Sequence, residues 1–220
     1  MKRIVSAILV FVILILATSC TTFSQIVTET EVTTVAKKEV EYEAASVAYQ
    51  DLIKAHELCV DVMDSVYGAW YFSIYEYDDY SGSTGFSKFC SKANISSTDA
   101  LKAAETLLKM DDISAYAAYG VLIEDFSWSV LIVTQVYKIN GIFDEIEECL
   151  ANAKASLKSV TNEYSDYTGY SVLKSYYSEI SAYYEFSQSP TGSFAQLKTT
   201  IDNYETNLRN YKNDLSFIFD

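Results

Sequence analysis

Proline occurs once in this chain and glycine seven times in 220 residues. So few turn formers argue against the many reversals of an all-β fold. Histidine is also nearly missing, with His56 the single imidazole. That removes His-rich metal sites, His-x-x-x-His zinc helices and the paired Glu-x-x-His motif of di-iron bundles. The four cysteines form no Cys-x-x-Cys pair and no haem-attachment motif, and no Gly-x-Ser-x-Gly elbow occurs. No cofactor is therefore expected. Basic residues are short too: 16 against 30 acidic ones, for a formal net charge of −14. This excess of acid argues against nucleic acid and anionic lipid surfaces as partners, and suits solubility or a basic partner. No fixed-period repeat is present.

What is present is hydrophobic periodicity and tyrosine. Half the residues are hydrophobic and nineteen are Tyr, whose apolar ring and wet hydroxyl suit half-buried helix faces and binding surfaces alike. Val35–Tyr75 reads as one long helix with the seam Val35, Lys38, Tyr42, Ala45, Tyr49, Leu52, His56, Cys59, Met63, Val66, Trp70. Glu76–Ser97 loses that period and holds Ser81-Gly82-Ser83-Thr84-Gly85, so a loop is expected. A short helix, Asp99–Met110, follows a Ser97 or Thr98 cap.

The element on which the rest leans is Asp112–Tyr164. Its first half is apolar nearly all round (Phe126, Trp128, Val130, Leu131, Ile132, Val133), as in the middle of a core. Its second half has a three-four rhythm through Val136, Ile139, Phe143, Ile146, Leu150, Ala153, Leu157, Val160 and Tyr164. Asn140-Gly141 is a helix-stop pair, yet the rhythm crosses it in phase, which favours a continuous helix, with room for a kink there, over a fold-back. After a polar break at Asn162–Gly169, Tyr170–Ser187 is helical. Ser193-x-x-Gln196 then forms a capping box for a last helix with the heptad Phe194, Leu197, Ile201, Tyr204, Leu208, Tyr211, Leu215, Ile218. The fold class expected is all-α: an elongated antiparallel helical bundle of about four principal helices plus one short helix.

Lys2 and Arg3, the apolar run Ile4–Leu16 and the small residues Ala17-Thr18-Ser19 describe a secretory leader, too short to span a bilayer as a helix of about 20 residues would. Leu16–Cys20 resembles the cleavage box of bacterial lipoproteins. The resemblance implies removal of residues 1–19, lipid attachment at Cys20 and membrane anchoring through that lipid. Thr21, where inner-membrane retention commonly uses Asp, implies the outer membrane or cell surface. Ordinary cleavage after Ser19 is the alternative, and either route puts the mature chain outside the cytoplasm. Residues 20–34, Thr-rich and without a stripe, read as a tether, and 35–220 as the bundle domain.

Few residues offer chemistry. His56 sits in a packing seam, where a polar residue fixes register against a facing helix. Asp78-Asp79-Tyr80-Ser81-Gly82-Ser83 lacks the closing Glu and the Gly position of a calcium loop, so no metal is expected. Asp144, Glu145, Glu147 and Glu148 read as a solvated face. Of the three remaining cysteines, a Cys59–Cys149 bond is open only to a fold-back at Gly141. A straight central helix starting at 112 would separate the two by roughly 30 Å, against about 7 Å for a disulfide. The aromatic crowd around residue 70 is the anomaly. Helix packing accounts for Trp70 and Tyr71, whereas Tyr77, Tyr80, Phe86 and Phe89 either cap the bundle end or form a platform for a ligand or partner.

The expected role is a cell-envelope-anchored, non-enzymatic scaffold, adaptor or adhesion-like module with an envelope protein as partner. The alternative is a small-ligand-binding bundle with an aromatic pocket near Trp70. A hydrolase is a weaker third.

Overall fold

The computed structural model describes residues 2–109, 112–160 and 168–220, with side chains for 34–109, 112–120, 122–160 and 168–220. The leader, Cys20 and nearly all of the tether fall before residue 34, where the backbone is helical but side chains lie outside the described set, and Tyr164 with most of the 162–169 break falls in 161–167, outside the described residues. The class is all-α, with no strand among the described residues. The chain divides into two compact units, residues 1–43 and 44–220. Every contact discussed below lies within the second.

Helix α1 (Lys2–Tyr75) ends where the seam ends. From residue 44 onward the seam is the core: Ala45, Tyr49, Leu52, Cys59, Met63, Val66 and Trp70 are all buried. Burying such side chains contributes roughly 1.5–3 kcal/mol each, which far outweighs their mixed helix propensities.

The expected loop at Glu76–Ser97 is corrected. A 3₁₀ turn (Tyr77–Asp79) leads into helix α2 (Gly82–Lys92). The Ser/Gly run is a poor helix former, but Phe86, Phe89 and Cys90 recur at helical spacing and are all buried, so tertiary burial overrides propensity. Two glycines let α2 approach. A Cβ at Gly68 would lie 2.2 Å from the Lys92 carbonyl oxygen, and one at Gly85 would lie 2.3 Å from the Tyr119 ring. Helix α3 (Ser97–Leu108) is capped by Ser96, one residue before the expected cap, whose hydroxyl accepts from the Asp99 amide. Its buried face is Ala100, Ala103 and Ala104.

The central element is also corrected. It is a short helix α4 (Ala115–Ala118), a π-helical turn (Tyr119–Ile123), helix α5 (Phe126–Ile139) and helix α6 (Ile142–Leu157). Asp125 leaves helical geometry to accept the Ser127 amide at 2.7 Å, which restarts the helix there. Gly141 adopts φ +74°, so the stop pair does act. The chain nevertheless runs on without folding back. Trp70 stacks on Phe126, the Ser65 hydroxyl bonds the Tyr137 hydroxyl at 2.8 Å, and Lys54 pairs with Glu145 at 2.7 Å. Going down α1 is thus going up α5 and then α6, antiparallel throughout, and the preserved rhythm is explained. In this register Cys149 lies level with about residue 50 of α1, on the order of 13 Å from Cys59. Cys59, Cys90 and Cys149 are free, buried thiols.

Helix α7 (Tyr170–Gln188) and helix α8 (Phe194–Phe219) complete the bundle. Both halves of the Ser193/Gln196 capping box are made, at 3.3 and 2.8 Å. Tyr176 against Tyr211, Glu179 against Asn207 and Tyr183 against Tyr204 make α7 and α8 antiparallel neighbours. Phe194 meets Tyr67, Tyr71 and Tyr75, while Phe219 meets Tyr49, so α8 opposes α1. The result is an up-down-up-down four-helix bundle: α1, then α5 with α6, then α7, then α8. Helices α2–α4 form a cap at the α1 C-terminal end.

Candidate functional site

The aromatic crowd divides into three groups around the last turns of α1. Phe72, wholly buried, faces the cap, with ring centroids 6.0 Å from Phe89, 6.1 Å from Tyr80 and 6.4 Å from Tyr119. Tyr77 stacks on Tyr119 at 4.8 Å, and the Tyr119 hydroxyl donates to the Tyr77 carbonyl at 2.7 Å. Burial, reinforced by Tyr77, Asp78 and Asp79, pushes that hydroxyl's pKa up to about 12. Tyr71 belongs to the second group, packed with Tyr67 and Tyr75 around Phe194, and carries the Lys92 ammonium 4.6 Å above its ring. The third group is Trp70 stacked on Phe126, with centroids 5.1 Å apart and planes 9° apart.

Of the six residues that offered a possible surface, Phe86 and Phe89 are buried, so for these two the capping alternative holds. They are the core of the cap, because α2 turns them inward. Trp70 is buried, and Tyr71 and Tyr77 are half-buried in the stacks just described. Tyr80 remains exposed. Sequence reasoning missed Phe126 and Tyr116, which are 42% and 72% exposed. Phe126 was assigned to the middle of the core because its segment is apolar all round and shows no stripe. Its signal was Asp125, a helix cap that marks a helix end, where one face meets water. Together with Ile74 and Tyr75, these side chains expose an apolar surface at the capped end of the bundle. Beside the Trp70–Phe126 stack is a cleft of about 250 Å³, lined also by Ser127, Val130, Pro190, Thr191 and Gly192.

The groups with chemical potential lie elsewhere and inside. The His56 Nδ1 is 2.8 Å from the Tyr176 hydroxyl, with the two rings edge to face. Burial, helped by Lys212 and Arg209, lowers the His56 pKa to about 4. The same burial drives the Tyr176 hydroxyl well above its ordinary range. Desolvation pushes the Cys59 thiol to about 12 and Cys90 to about 11, far from thiolate reactivity. Among the described residues no cluster of three or more His, Cys, Asp or Glu could hold a metal. In the would-be calcium segment Gly82 opens α2 and Cys90 is buried. The acidic run of α6 faces solvent, with Glu145 on Lys54 and Glu147 accepting from the Tyr184 hydroxyl.

No family model, curated protein or solved structure matches this chain. Among the described residues no helix is long and apolar enough to cross a membrane.

Proposed function

We propose that this protein is a cell-envelope-anchored, non-enzymatic interaction module, tethered to a membrane by lipid on Cys20, whose capped bundle end docks an envelope protein. One observation carries the reading: exposed apolar side chains, Ile74, Tyr75, Tyr80, Tyr116 and Phe126, gather at the end where helices α2–α4 cover the bundle. Aromatic side chains of this kind are enriched in protein interfaces. The potential base His56 and the thiols are instead spent on packing, which supports surface work over a hydrolase. The small-ligand alternative draws on the cleft beside Trp70. At about 250 Å³ it falls below the ~300–1,000 Å³ of typical ligand pockets, so docking is the better supported of the two.

The test is photo-crosslinking in native membranes, with the reactive group at position 116 or, as a control, at the exposed position 203 on α8. An envelope protein captured from position 116 and not from 203 is expected. The capture should fall at least about tenfold with Phe126→Ala, as loss of an interface anchor worth about 1.4 kcal/mol or more predicts. It should also be lost when Cys20→Ala releases the protein from the membrane. Equal capture from both positions, or unchanged fractionation of Cys20→Ala, would overturn the reading.

A further inference from the structure

Between the end of α5, the start of α6 and the facing side of α7 lies a cleft of about 360 Å³, within the lower range of small-molecule sites, roughly 300–1,000 Å³. Its lining differs from the apolar seam on either side. Thr134 and Tyr184 are buried residues that line it. The Tyr184 hydroxyl donates to one Glu147 oxygen at 2.7 Å, which fixes that carboxylate and leaves its second oxygen unused by this bond. The ring of Phe143, half-buried and 6.0 Å from Tyr184, supplies an apolar wall. Gln135, Lys138, Asp144 and Gln188 complete the lining with amide, ammonium and carboxylate groups.

This set of groups selects a ligand class. An anion is repelled by Asp144, Glu145, Glu147 and Glu148 within two turns of α6. A metal cation would find only the carboxylates of Asp144 and Glu147 in the lining, short of the three or more that a site needs among the described residues, with Lys138 to oppose it. An apolar molecule would strand the polar walls without partners, at a cost on the order of 1–3 kcal/mol per group. A neutral molecule whose every polar group both donates and accepts satisfies the lining, and that is the property of a hydroxyl. A half-exposed aromatic ring beside such donors and acceptors accepts the C–H face of a pyranose. We infer that the cleft at the α5–α6 break binds a neutral sugar unit. The site is separate from the proposed docking end, and either can fail without the other.

The test uses the full chain with glucose, galactose, mannose and N-acetylglucosamine as probes, read by saturation-transfer NMR and calorimetry. At least one should bind. Glu147→Gln combined with Gln188→Ala should weaken it at least about tenfold while the helical circular dichroism stays unchanged, since both side chains are exposed. Tyr184→Phe, which frees Glu147, should weaken binding in the same direction, and Phe126→Ala at the docking end should not. Saturation transfer from none of the sugars would overturn the inference. So would affinity unaltered in the double variant, or a preference for glycine or acetate over every sugar.

Discussion

Lowering the pH from about 7.5 to about 5 should cost the folded protein roughly 2 kcal/mol through His56 alone, by the linkage between proton uptake and unfolding. In the unfolded chain this imidazole titrates near 6.5, whereas in the bundle its pKa is lowered to about 4. Below about pH 6.5 the unfolded chain therefore takes up a proton that the folded protein refuses. Stability is fully present above the unfolded value and drains away as the pH falls towards the folded one. The full loss approaches roughly 3 kcal/mol below pH 4. Asp51, Asp64 and Glu205 work the other way, because burial raises their pKa values and the fold gains as they protonate. The interval between about 6.5 and 5 is thus where the histidine dominates. Urea denaturation across this range should show the decline, and His56→Gln, whose amide still reaches the Tyr176 hydroxyl, should remove most of it. A variant that declines as steeply as the parent would mean that His56 is not the group responsible.

The second large effect is expected at Gly68. Alanine there puts a Cβ 2.2 Å from the Lys92 carbonyl oxygen and 3.3 Å from the Ala93 Cα. Both are backbone atoms, so no rotamer change relieves the overlap, and α2 must move away from α1. Overpacking of this kind costs about 3 kcal/mol, and the displaced cap should lose near-ultraviolet circular dichroism from Phe72, Tyr77 and Tyr119. Gly141 supplies the contrast. It has positive φ, but nothing lies within 4 Å of a Cβ built on it, so Gly141→Ala should cost only the left-handed conformation, about 1 kcal/mol. If the two substitutions cost the same, the close approach of α2 to α1 is wrong.

These two residues also mark what the sequence could reveal. The seam from Ala45 to Trp70 and the Ser193/Gln196 box were legible because helical period and capping are local properties, written within a few residues. Gly68 gave no sign, because the backbone it accommodates is 24 residues away in the chain. Helix α2 was hidden by its own Ser/Gly run, since its reason for being helical is the burial of Phe86 and Phe89 against α1 and the π-helical turn. His56 was correctly read as a seam residue, but its partner Tyr176 lies 120 positions on and no spacing rule reaches that far. At Asn140-Gly141 two local signals conflicted, and each was half right: the helix stops, and its direction continues. The polar cleft also takes Tyr184 and Gln188 from α7, so it could not be anticipated from either signal alone. At the bundle end capping and platform both stayed open, because aromatic count says nothing about orientation. Phe86 and Phe89 went inward, whereas Phe126, taken for core, came out.

The four-helix bundle requires α5 and α6 to run as one bent rod against α1. Carbodiimide coupling of the wild-type protein, which joins ammonium and carboxylate groups already in contact, tests this directly. Peptide mapping should find Lys54 joined to Glu145, whose atoms are 2.7 Å apart, alongside Lys212 joined to Glu57 at 3.1 Å. Formation of the Lys212–Glu57 link with Glu145 unreacted, or with Glu145 joined to Lys138 as a fold-back at Gly141 would require, would contradict it.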